Sequence, residues 1–259
     1  MQHKAEIFKT ELKTIKSQKI RNFAILLLNE APDYFYYEPA SSTGKYHPKY
    51  ALGERGLVRH TKAVVRFYNH IVSLEQYRNK LKDNEEDLGR VACLIHDALK
   101  YGDQKEYQDK IDSGKKAYTC VDHPIRAAEY IKLRKNDSEL TDYEIACLMK
   151  AVSSHMGEWN TDRSKKEILP KPKEFLQEIV HLADYLASRK DLDVDFRDDY
   201  EAYPEAGAET AVCKFPKHKG MRYIDIYKKD PDYLHWLYDN LDLDEYTKKI
   251  IEELFSNNE

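Results

Sequence analysis

Val91-Ala92-Cys93-Leu94-Ile95-His96-Asp97-Ala98-Leu99-Lys100 is apolar nearly all round for five residues and then sets a histidine beside an aspartate. It is far shorter than the roughly 20 residues of a membrane span, so it reads as a helix segment buried in a protein core. A carboxylate in such a place is costly unless it is paired or bound to a cation. The spacing therefore predicts a helical core built around a polar centre.

Four more positions repeat the pattern on other segments. His60 lies in line with Ala63, Val64, Phe67 and Ile71, so it projects from the apolar face of its helix, and His155 continues the stripe of Ile145, Leu148 and Val152. His123 precedes Ala127 and Ile131 at spacing four, and Asp184 shares a face with Val180 and Ala187. A single histidine on an apolar face is usually a hydrogen-bonded core residue. Five such coincidences on five segments point to a shared ligand set, and imidazole with carboxylate suits a divalent metal such as manganese, iron or zinc.

Most of the chain up to about residue 190 reads at helical period. Helices are expected over 4–29, 57–79, 85–100, 123–134, 141–155, 173–189 and, near the end, 244–255. Thr141 with Glu144 forms a capping box, and Pro124 suits a first helical turn. The fold class is all-α, with a small C-terminal module that includes a short hairpin. Residues 1–50 are expected to form an N-terminal helix and a substrate-side loop, rich in Pro, Gly, Ser and Tyr, that also carries His47. Residues 51–200 form the core, 201–213 an acidic linker, and 214–259 a basic, aromatic module. The linker reading rests on eight acidic residues against one arginine between 191 and 210, and the module on six basic residues against one aspartate over 214–229.

Composition narrows the classes further. The chain has 259 residues, 41% hydrophobic and 34% charged, with 9 Gly and 9 Pro, which excludes collagen-like, low-complexity and wholly disordered chains. No membrane span and no secretory leader are expected, which places the protein in the cytoplasm. Four cysteines lie far apart and are expected to be reduced. The net charge of −4 excludes a general attraction to nucleic acid, so any such contact must be local.

The order His60, His96-Asp97, His123, His155, Asp184 resembles the HD-domain metal-dependent phosphohydrolases. Gly-Leu-Val-Arg-His60-Thr is similar to the G-L-L-x-H-T opening of HD-type 3′–5′ exoribonucleases, His96-Asp97-Ala-Leu-Lys100 to their H-D-I-G-K, Ser154-His155-Met156-Gly157 to S-H-H-G, and His-Leu-Ala-Asp184 to H-x-x-D. Leu99 replaces a glycine and Met156 a histidine, and the H-D-x-x-x-G-Y-P motif of cyclic-dinucleotide phosphodiesterases is absent. Residues 215–220 and 230–237 resemble the C-terminal module of exonuclease X-type proteins, G-K-x-K-G followed by D-P-x-Y-L-x-W-L, with Phe215-Pro216 in place of the usual F-G.

What the resemblance implies is an HD-domain helical bundle. His60, His96, Asp97 and Asp184 would hold one divalent ion, and Asp97 would bridge to a second held by His123 and His155; Mn, Fe, Zn, Mg and Ni all fit. Asp97 and Lys100 would be the catalytic residues, with Lys100 aimed at a phosphate one turn after His96. Lys45, Arg55 and Arg126, together with Lys217, Lys219 and Arg222 of the C-terminal module, are candidate phosphate contacts, with Phe215, Tyr223 and Tyr227 as base-stacking partners. Tyr233, Trp236 and Leu237 are expected in the core of that module. The expected activity is a nuclease or phosphodiesterase acting on RNA or single-stranded DNA. The alternatives are hydrolysis of free nucleotides and, in a different class, a non-catalytic nucleic-acid-binding protein with structural metal. A closed structural zinc site normally has four ligands with cysteines prominent, which speaks against the last. Nothing in the sequence sets an oligomeric state.

Overall fold

The computed structural model describes residues 4–41, 47–77, 79–82, 84–162, 164–194, 196, 211, 213, 215–218, 221–243 and 245–256. Among them every regular element is a helix, so the fold is all-α. The chain divides into two compact units, Met1–Phe196 and Arg197–Glu259.

The first unit begins with a 3₁₀ turn at Lys4–Phe8, α1 (Lys9–Lys13) and α2 (Gln18–Glu30). The single helix expected over 4–29 is thus broken in two. The break has two local causes and one distant one: Thr14 Oγ1 donates to the Glu11 carbonyl at 2.6 Å, the Ile15 carbonyl is taken by the Arg21 guanidinium, and the Ser17 amide donates to Asp87 Oδ2 at 2.7 Å. Backbone groups that would have carried the helix onward are thereby satisfied elsewhere.

The body of the unit is α3 (Gly56–Ser73), α4 (Glu85–Ile95), α5 (Gln104–Asp112), α6 (His123–Leu133), α7 (Asp142–Ser153) and α8 (Phe175–Ala187). Helix α4 touches α2, α3, α7 and α8, and every residue from Asp87 to Ile95 is buried, as its all-round apolar character requires. α3 and α4 meet at a glycine: a Cβ on Gly89 would lie 1.9 Å from the Tyr68 hydroxyl.

Three boundaries differ from the periodicity. α3 stops at Ser73, where Ser73 Oγ donates to the His70 carbonyl, not near residue 79. α4 stops at Ile95, not residue 100; His96 closes it, its ring Nδ1 set against the Cys93 carbonyl at 2.8 Å, and Asp97–Lys100 continue as turns. Helix α5 was not expected, although its Asp103–Glu106 capping box stands in the sequence.

The loop between α2 and α3 is largely packed. Tyr34, Phe35, Tyr36 and Tyr50 are buried, and Arg59 ties residues 50–54 to α3 through the carbonyls of Tyr50, Leu52 and Glu54. Ala40, Ser41 and His47 remain on the cavity described below.

The second unit has α9 (Tyr223–Lys229), α10 (Pro231–Asn240) and α11 (Glu245–Ser256) around its own core of Tyr223, Ile226, Leu234, Leu237, Ile250 and Leu254. Of the expected hairpin, two backbone bonds are present among the described residues: Cys213 N to Met221 O and Tyr223 N to Ala211 O, both 2.8 Å. Asp195 and residues 197–210, most of the acidic stretch, lie outside the described residues. All four cysteines are free thiols, and no described helix is long and apolar enough to cross a membrane.

Candidate metal centre

The six residues expected to converge come from five places in the first unit: His60 on α3, His96 and Asp97 at the end of α4, His123 at the start of α6, His155 just past α7, and Asp184 on α8. They form two adjoining groups joined by Asp97. His60 Nε2 is 3.0 Å from Asp184 Oδ1 and 3.3 Å from His96 Nε2, which is 3.6 Å from Asp97 Oδ2. On the other side His123 Nε2 is 3.0 Å from Asp97 Oδ1 and 3.3 Å from His155 Nε2. The histidines and Asp97 are buried, and the Asp184 side chain is 16% exposed, which opens the centre to the cavity.

Protonation follows from the backbone. The Nδ1 atoms of His96, His123 and His155 face the carbonyls of Cys93, Cys120 and Val152 at 2.7–2.8 Å, and a carbonyl only accepts, so each Nδ1 carries its proton. In the neutral ring Nε2 then bears a lone pair. Burial lowers the His96 ring, and burial reinforced by His96 and His123 pushes His155 down to about 3, so these two imidazoles stay neutral. Burial alone would raise both carboxyls. Lys100, His96 and His123 outweigh it at Asp97, and the His60 hydrogen bond with His96 and His155 outweighs it at Asp184, holding both well below the usual carboxylate range.

The donor set fits a divalent cation. The Nε2 atoms of His123 and His155 face each other at 3.3 Å with Asp97 Oδ1 3.0 Å from the first, so a cation within reach of one would be within reach of all three. The 3.3 Å separation is also the edge between neighbouring ligands on an ion bonded at about 2.0–2.1 Å. The sets His60, His96, Asp97; His96, His155, Asp184; and Asp97, His123, His155 each bring their ligand atoms within 4.8 Å of one another.

The cavity over the centre has a volume of about 570 Å³. Lys100 reaches it although it is buried, and its ammonium is bonded to Asp97 Oδ2. The other expected phosphate contacts are placed differently. Arg55 enters α3 with φ 58°, and Arg126 is held by Glu106 and Asp122; neither lines the cavity. Lys217 is paired with Asp230 at 2.8 Å and Arg222 with Asp225 at 2.7 Å, while Lys45 and Lys219 lie outside the described residues. Tyr223 is buried and Phe215 and Tyr227 pack against the core of the second unit, so the three expected stacking rings are core residues there. Trp236 is the reverse case: expected inside, it is 51% exposed, although Tyr233 and Leu237 beside it are buried.

Sequence reading missed Trp159, Tyr185, Arg189 and Thr119 on the cavity wall. The first two had a usable signal, since Trp159 is four residues after His155 and Tyr185 adjoins Asp184. His181, the histidine of the H-x-x-D motif, gains a role from the structure: its Nδ1 bonds the His155 carbonyl at 2.7 Å and supports the turn that presents that ligand.

An all-helical unit that gathers four histidines and two aspartates into one buried centre, with Asp97, His123, His155 and Asp184 on the wall of one cavity, defines a class, the helical metal-dependent hydrolases. Residues 58–189 match the HD domain family, just over half of the chain, and the chain belongs to that family. It is accordingly a metal-dependent phosphohydrolase of the HD superfamily. No curated protein and no solved structure gives a match to it.

Proposed function

We propose that the protein hydrolyses a phosphoester of a nucleotide-sized substrate seated in this cavity, with divalent ions held by His60, His96, Asp97 and Asp184 and by Asp97, His123 and His155. The observation that carries this reading is the convergence of His123 Nε2 and His155 Nε2, 3.3 Å apart, with Asp97 Oδ1 3.0 Å from the first. Divalent ions supply a nucleophile drawn from water and neutralise charge that develops on the phosphoryl oxygens. The protein's own contribution is orientation. Asp97 spans the two groups, Lys100 fixes its Oδ2 and offers an ammonium on the cavity wall, and the three backbone carbonyls aim the imidazoles.

Hydrolysis of RNA or single-stranded DNA, the activity implied by the exoribonuclease-like motifs, is the second reading. It is favoured by the exposed Trp236, stacked on Tyr233 with a 6.1 Å centroid distance, and by Lys217 over the Tyr233 ring. It is weakened by the ion pairs that already occupy Lys217 and Arg222. The test is to incubate the protein, loaded in turn with Mn, Fe, Zn, Mg and Ni, with RNA, single-stranded DNA, cyclic nucleotides, dNTPs and nucleoside monophosphates. Release of phosphate or nucleoside from single nucleotides is expected; shortening of the strands alone favours the second reading, and no hydrolysis under any metal overturns both.

A further inference from the structure

We infer that Trp159 is the base-stacking surface of the substrate site, so that the phosphoester hydrolysed is that of a nucleotide and its nucleobase lies on the indole. The inference rests on the phosphohydrolase reading and adds the chemistry of the group the phosphate is attached to.

Among the described residues, Trp159 is the large exposed hydrophobic side chain that also lines the cavity; Tyr118, Leu133, Tyr143 and Trp236, comparably exposed, do not. Exposed apolar residues scattered singly need no explanation, but an indole 56% exposed on the wall of the cavity that also holds Asp97 and Lys100 is a flat apolar face open to a ligand. It is also backed. Trp159 stacks on Tyr185 with ring centroids 5.4 Å apart and planes 17° from parallel, and the Arg189 guanidinium lies 5.3 Å from the Tyr185 centroid. A base laid on the indole would extend a stack that already exists, a mode that accepts every base because each has a π-face.

The stack is positioned by the same elements as the metal centre. Tyr185 follows Asp184 on α8, and Trp159 follows His155 through a tight turn closed by the bonds Gly157 N to Ser154 O and Trp159 N to Met156 O. Gly157 has φ 58°, and a Cβ there would meet the His181 ring at 2.2 Å, so the turn requires glycine. Beyond the indole, buried Asn160 is pinned to residues 168 and 169 by its backbone carbonyl and its side-chain amide. Platform and phosphate-side residues are therefore held at a fixed offset by rigid neighbours, as a site that grips both ends of one nucleotide needs.

The chain has two tryptophans, which makes the test direct. In a Trp236→Phe protein the remaining emission belongs to Trp159, and titration with AMP is expected to quench it saturably, whereas ribose 5-phosphate and inorganic phosphate leave it unchanged. In a Trp159→Phe protein AMP should not quench. Trp159→Ala should weaken AMP binding about tenfold or more by calorimetry, with Trp159→Phe recovering most of the loss. A ten-residue oligoadenylate run alongside identifies the source of the base: quenching at lower concentration than AMP assigns it to a strand end, the converse to a free nucleotide. Equal quenching by AMP and ribose 5-phosphate, or AMP binding unchanged in Trp159→Ala, overturns the inference. Phosphate release from ribose 5-phosphate, or from any nucleotide, with Trp159 silent would leave the hydrolase reading standing while this one fails.

Discussion

Asp97 is the residue on which the centre turns, because it alone has an oxygen facing each histidine pair. Asp97→Asn keeps the shape and removes the charge, so at least one bound ion per chain should be lost and turnover should fall by about a hundredfold or more; elemental analysis beside a phosphate-release assay measures both. Lys100→Ala should be milder, raising KM more than it lowers kcat, since the lysine positions Asp97 and phosphate without supplying the nucleophile. At this scale the sequence was informative where a polar side chain interrupts an apolar stripe. His60, His96, Asp97, His123, His155 and Asp184 all stand out that way. For Trp159 and Tyr185 it offered only their spacing from His155 and Asp184, and for Arg189 nothing, because rim residues break no pattern: a ring or arginine beside a loop looks like any surface residue until the fold shows what it borders. The reverse error occurred at Arg126, whose suitability for phosphate is visible in the sequence while its carboxylate neighbours, Glu106 above all, are set by tertiary structure.

Helix boundaries show the same division. α6, α7 and α8 fall within two residues of their expected limits because caps and apolar faces agree, whereas the break at Thr14–Ser17 depends on Asp87, a residue some seventy positions away. α5 shows the opposite: its capping box is local, but its exposed, polar face gave no periodic stripe to read. Two consequences of packing can be tested. Gly89→Ala should destabilise the protein by about 1–3 kcal/mol in urea, because its methyl meets the Tyr68 hydroxyl, and Tyr68→Phe should recover part of that. Glu144 joins α7 to α2 and to Asn84 by accepting from Lys19 Nζ and Asn84 Nδ2 at 2.7 Å. Burial would raise its carboxyl, but Lys19, the Thr141 amide and Asn84 outweigh burial and bring it down to about 2. A carboxyl lowered on folding stabilises above its unfolded value near 4.5 and loses that contribution as pH falls toward 2. Glu144→Gln should therefore cost about 2 kcal/mol at pH 7 and progressively less below pH 4.5, and equal losses at pH 7 and pH 3 would contradict the assignment.

Over the whole molecule the decisive quantity is charge. A chain of net charge −4 repels a polyanion at long range, so a strand substrate would need a compensating basic track, whereas a single nucleotide needs Lys100 and the ions at the centre. The obvious track is the basic start of the second unit, and there the structure has already paired Lys217 with Asp230 and Arg222 with Asp225. Every residue on the cavity belongs to the first unit, which gives the two readings opposite behaviour in salt. Each phosphate neutralised on a single strand contributes about −0.7 to the slope of log binding constant against log salt. For a nucleoside monophosphate, kcat/KM measured between 50 and 200 mM salt should follow a slope of about −1 or shallower, and Lys217→Ala with Arg222→Ala should leave it unmoved. A decanucleotide that ran along the second unit would give a slope several times steeper, and the double substitution would flatten it. The expected outcome is a shallow slope for both substrates in both proteins, since the strand would then present only its terminal nucleotide to the cavity; a steep slope abolished by the double substitution would assign the second unit to strand binding and return the polymer to first place.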